Sequence, residues 1–151
     1  MARAKGFAVL LPEQGQDANP QRCWNWFGSE ARVGLETQLL MAIVDHAVAA
    51  NPRIAGPLFA LGLSAGGAMS MTLALRHPER FTAVGSHSGA APHSASTPLQ
   101  AGQSMRGRRS PDVDAIAQRL AGRRLPPLVL IHGDADRVVS FDSARAAAGL
   151  W

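Results

Sequence analysis

The 151-residue chain has no tyrosine, a single cysteine (Cys23) and a single lysine (Lys5). One cysteine excludes an internal disulfide. The opening Met1-Ala2-Arg3-Ala4-Lys5-Gly6 precedes only a short apolar run that ends at Pro12. That is too short for a secretory signal core, so no signal peptide is read in this chain. No uninterrupted apolar run reaches the length of a bilayer span, and no membrane partner is expected. Charged residues make up 17 %, against 46 % hydrophobic, which argues against disorder and for a sizeable core. The net charge of +4 is almost all arginine. Nucleic-acid binding would want basic residues clustered and interleaved with aromatics. The three Trp and five Phe do not alternate with arginine. The one basic cluster, Arg106-Gly107-Arg108-Arg109, lies in a Gly/Ser/Pro-rich stretch and reads as a solvated loop. No nucleic-acid partner is expected.

What is present is an alternation of short apolar runs with helical patterns. Phe7 to Leu11 reads as a buried strand. Glu13 to Arg32 is irregular. Gly34 to Ala50 places Leu35, Leu39, Leu40, Ile43, Val44, Ala47 and Val48 on one helical stripe, closed by Asn51-Pro52. Leu58 to Leu61 is the second strand, and Ala65 to Arg76 is rich in helix formers. Phe81 to Ser86 reads as a third strand, and Gly89 to Arg109 as a long loop. Ser110 is an N-cap candidate with Pro111 at the first helical position, for a helix running to about Leu120. Leu128 to Ile131 is the fourth strand, and Ser140 to Leu150 a last helix. Continuous apolar strands alternating with helices predict a single α/β domain over 1–151, with a parallel sheet covered on both faces.

The chemistry sits at Gly62-Leu63-Ser64-Ala65-Gly66-Gly67. A hydrolytic serine needs its hydroxyl held out at the end of a strand. A sharp strand-turn-helix does this, provided the neighbours are small enough for strand and helix to approach. Gly62, Ala65, Gly66, Gly67 and Ala68 supply that room. The helix after Ser64 points its amides at the reacting oxygen, and the Ala65 N–H is the expected oxyanion donor. The pattern lacks the further glycine spacing or the lysine of a phosphate-binding turn.

A triad also needs an acid and a histidine, in the order Ser, acid, His. After the last strand, His132-Gly133-Asp134-Ala135-Asp136 offers two carboxylates, Asp134 and Asp136. The five histidines, His46, His77, His87, His93 and His132, all precede Asp136. His87 and His93 follow the third strand and could lie near the catalytic face. Each of the five has a structural or solvated reading, and the base is unassigned.

Taken with Arg22-Cys23-Trp24-Asn25-Trp26-Phe27, Leu11-Pro12-Glu13-Gln14 and His87-Ser88-Gly89, the chain resembles the polyhydroxybutyrate depolymerase-like esterases over nearly its whole length. These are α/β-hydrolase serine esterases, often secreted, that cleave polyester, acetyl or feruloyl bonds. The resemblance implies Ser64 as nucleophile, Asp136 as triad acid, and Trp24 and Trp26 near the substrate cleft, though a core role suits those tryptophans equally. It implies a polymeric or small-molecule ester substrate, an extracellular location, and no metal or organic cofactor. Family members usually carry a His-Gly-Cys loop, holding a second oxyanion donor and a cysteine partner for Cys23, and a later Gly-His-Ala-Trp segment with the base. Neither is among these 151 residues. The expectation is a partial α/β-hydrolase domain, short at both ends and without turnover on its own. The rival expectation is a non-catalytic fragment or binding module.

Overall fold

The structure is a computed structural model and describes residues 2–151. Three strands, β1 (Phe59–Leu63), β2 (Ala83–His87) and β3 (Leu128–Ile131), form one parallel sheet in the order β1-β2-β3. Around them run α1 (Ala2–Lys5), α2 (Glu30–Ala50), α3 (Ala65–Arg76), α4 (Pro98–Met105), α5 (Val113–Arg119) and α6 (Asp142–Ala148).

α2 begins one turn earlier than its apolar stripe suggests, because Ser29 caps it by accepting the Arg32 amide. α2 is 21 residues long, and its most apolar stretch has a mean hydropathy of 1.3, so length and composition alone would let it cross a membrane. A scan for unbroken apolar runs misses this, since isolated polar residues interrupt the stripe. In this fold α2 turns Leu40 and Met41 into the core and leaves Leu35 and Leu39 exposed. The stretch read as a loop from Gly89 to Arg109 contains α4, capped by Thr97 with Pro98 in its first turn. α5 is capped by Asp112 rather than Ser110, through the Ala115 amide at 3.0 Å.

Phe7 to Leu11 does not form the expected strand. These residues carry no regular structure and are largely exposed, Leu11 at 85 %. A strand needs a neighbour to bond its amides and carbonyls. β1 is paired only with β2, and residues 7–11 join no strand of the sheet.

The sheet has two unlike faces. Ala60, Val84 and Leu128 stand in register on one of them. They pack against Leu40 and Met41 of α2 and Met69, Leu73 and Ala74 of α3. Phe59, Leu61 and Leu63 point the other way, level with Val129 and Ile131, and all five are exposed. The reason is handedness. A parallel crossover is right-handed, so β1→β2→β3 in simple order places every connecting helix on the same face. Cover on both faces was expected; among the described residues, α2, α3 and α6 pack on the Val84 face, and the Leu61 face stays exposed.

Candidate active site

The C-terminal ends of the three strands lie side by side, and each carries a residue of the candidate site. Ser64 follows β1, Ser88 follows β2 and the His132–Asp136 turn follows β3. Ser64 has φ +53° and ψ −118°, a region that a residue with a side chain enters only at a cost of order 1–3 kcal/mol. The chain holds it there from both sides. The Ser64 amide donates to the His87 carbonyl at 2.8 Å, and the Ser64 carbonyl accepts the Ala68 amide at 3.0 Å. That second bond is the first of α3, so the amides of Ala65, Gly66 and Gly67 precede it at the positive end of the helix.

The glycines make this geometry affordable in space. A Cβ on Gly62 would overlap the backbone of Gly66, and one on Gly67 would lie 2.6 Å from the Ser86 hydroxyl oxygen. A Cβ on Gly89 would collide with the same hydroxyl and lie 2.7 Å from the Ala68 amide. Ser86 is buried beneath the turn, and its hydroxyl has no hydrogen-bond partner among the described residues. Strand, helix and the loop after β2 therefore touch backbone to backbone under Ser64.

Asp136 is fixed by its own turn. One carboxylate oxygen accepts the amides of Val138 at 2.8 Å and Val139 at 3.0 Å. These bonds, the Val139 one foremost, hold its carboxyl below the usual aspartate range, with smaller help from the Ser88 hydroxyl and from His132. Asp134, the competing carboxylate, is exposed. His132 pins the turn from within. Its Nε2 donates to the Val139 carbonyl at 2.8 Å, its ring packs edge-on against Phe141, and Asp136 lies 3.7 Å away, beyond hydrogen-bond reach.

The histidines do not supply a base. His87 is in register with Leu63 and Ile131, which puts it on the open face of the sheet. His93 and His77 line a cavity beside the last residues of α3, at the opposite end of that helix from Ser64. His46 lies within α2. Among the described residues none of the five hydrogen-bonds Ser64.

The two tryptophans part company. Trp24 is half-buried, with Cδ1 3.9 Å from the position a Cβ would take on Gly66, so it flanks the turn. Trp26 is buried with Ala68, Ala90 and Ala101 and packs edge-on against Phe27. Between them, Asn25 docks on buried Glu36 of α2. The carboxylate accepts the Asn25 amide at 2.7 Å, its side-chain NH₂, and the Gln14 side chain at 2.7 Å. The sequence did not point to Glu36, and Gln14 and Ser88 entered only as members of the resemblance motifs, without a role. A lone glutamate on an apolar helix stripe was the available signal for the first. Cys23 is exposed and free.

A family model for the PHB depolymerase esterases matches residues 1–149. The chain belongs to this family. No curated protein matches it. Among solved structures, a variant of SOBER1 from Arabidopsis thaliana aligns with a TM-score of 0.56 and 25 % identity. The alignment covers 82 % of this chain and 50 % of SOBER1. The chain thus spans about half the length of that relative, and its three parallel strands with their helices are a partial α/β-hydrolase fold. The Ser64 turn and the Asp136 turn stand at the C-terminal ends of β1 and β3, with the end of β2 and Ser88 between them.

Proposed function

We propose that this chain carries the nucleophile and acid of a serine carboxylic ester hydrolase that acts on polyester or acyl and feruloyl esters outside the cell. The carrying observation is the backbone of Ser64, held at positive φ between the end of β1 and the start of α3. In the proposed reaction the Ser64 Oγ adds to the ester carbonyl and its proton passes to a histidine base. The carbonyl oxygen, now negative, accepts the Ala65 amide. Collapse expels the alcohol with that proton and leaves an acyl-serine. Water, deprotonated by the same base, then releases the acid and regenerates Ser64. Asp136, kept ionised by the Val138 and Val139 amides, orients the base. Trp24 forms a wall of the substrate cleft; Trp26 supports it from the core.

Among the described residues no histidine ring hydrogen-bonds Ser64, and a serine hydroxyl without its base is a poor nucleophile. The chain by itself is therefore expected to hydrolyse p-nitrophenyl butyrate at close to the uncatalysed rate. Ser64-dependent turnover near that of intact esterases would overturn the inactivity. For the nucleophile itself, the assay adds a polypeptide carrying a Gly-His-Ala-Trp base segment. Turnover that appears with Ser64 and not with Ser64→Ala supports the assignment, and turnover equal in both removes it.

A further inference from the structure

The cavity beside the last residues of α3 has a volume of about 250 Å³ and is lined by α2, α3, α5 and the loop after β2. Its wall holds three arginines, Arg76, Arg119 and Arg123, and two histidines, His77 and His93, against a single carboxylate, Glu30. We propose that this cavity binds a small multivalent oxyanion of the phosphate type.

The charge does not close on itself. Arg76 reaches Glu30 at 2.5 Å and Arg123 reaches Glu79 at 3.0 Å, each through Nη2 alone. A guanidinium has five N–H donors arranged as a fork that matches oxyanion geometry. The Nε of Arg76 is buried without a partner, and Arg119 has no ion pair among the described residues. A buried donor left unpaired destabilises the site, and an acceptor bound in the cavity would relieve it. The arginines act on the cavity's interior. Burial first, and then Arg76 and Arg119, press the His93 imidazole below its ordinary value, with Glu30 opposing. Burial, and then Arg76, Arg80 and Arg123, do the same to His77, with Glu79 opposing. Both shifts favour the neutral imidazole, which carries one N–H donor. His93, with φ +58°, lines the cavity. A cation would meet net repulsion here. A phosphate group, alone or on a small alcohol, matches both the volume and the donors.

This site is separate from Ser64. The 12 residues of α3 rise about 18 Å, and the cavity abuts the far end. Its occupancy can thus be read without any catalytic assay.

The test is a titration of the full chain with inorganic phosphate, followed by NMR at the histidine ring protons. Sodium chloride at matched ionic strength is the control. Saturable shifts of His93 and His77, with His46, His87 and His132 unmoved, are expected from phosphate and not from chloride. Arg119→Gln should weaken phosphate binding about tenfold or more, the cost of one charge-assisted hydrogen bond. Unmoved His46, His87 and His132 signals report that the variant is folded; where they change, Arg123→Gln takes its place. The proposal fails if wild-type His93 shows no saturable shift, if chloride produces the same shifts, or if all five rings move together. It fails equally if the folded arginine variant binds phosphate as tightly as wild type.

Discussion

The two faces of the β1-β2-β3 sheet are built from the same kinds of residue and meet opposite fates. On one, Val84 is 2 % exposed beneath α2 and α3. On the other, Leu61 is 82 % exposed. Composition does not distinguish them, since leucine, valine, isoleucine and phenylalanine occupy the open face as readily as the closed one. Connectivity does. Crossovers of one hand, moving steadily across the sheet, deliver cover to one side only. The turn at Ser64 leads into α3 on the covered side, where backbone contact between β1 and α3 is closest.

The sharpest way to break this comparison is at Gly62. Valine there would drive its side chain into the Gly66 backbone, which cannot yield without moving α3 off the sheet. Gly62→Val is expected to lose at least about 3 kcal/mol in urea unfolding, or to fail to fold. A transition matching wild type would show that the turn does not depend on close approach. Next in size is a matched pair. Val84→Asp buries an unpaired carboxylate and should cost about 3 kcal/mol or more, whereas Leu61→Asp should fall within about 0.5 kcal/mol and reduce self-association in light scattering. Equal losses in the two variants would mean that the open face is packed in solution. The smallest effect is at Asp136. Its carboxyl titrates below the ordinary aspartate value because the folded turn donates two amides to it. Its contribution to stability is therefore complete above the unfolded aspartate value and is lost as pH falls through the depressed one. In an acid titration the Val138 and Val139 amide signals should move together with a midpoint below that of an unfolded aspartate. A midpoint at or above it would mean that these bonds are not formed.

Three of the four expected strands and the helix after Ser64 were legible because each is an apolar run or stripe bounded by Gly, Asn-Pro or Pro-Pro. Phe7 to Leu11 carries the same local signal and forms no strand, since strand formation depends on a neighbour that composition does not reveal. α4 was hidden because Thr97-Pro98, a capping pair, opens only eight residues amid Ala, Ser and Gly. At the site, the positions of Ser64 and of the Asp136 turn followed from strand ends. The choice between Asp134 and Asp136 needed the resemblance, and the hydrogen bonds of Asp136 then rest on Val138 and Val139, two residues whose amides carry no sequence signature. The part played by Asn25 was unreadable for a related reason. It depends on Glu36, eleven residues away and brought near only when α2 packs.

The close approach of Gly62 and Gly67 also bears on the cost of closing the chain. β1, α3 and β2 are consecutive in the chain, within residues 59–87, so their contacts close short loops at small entropic cost. The bond from Ser64 to the His87 carbonyl lies inside that unit. The bend at Ser64 is thus closed inside one local unit, whereas the Asp136 turn joins it only through the longer connection from β2 to β3.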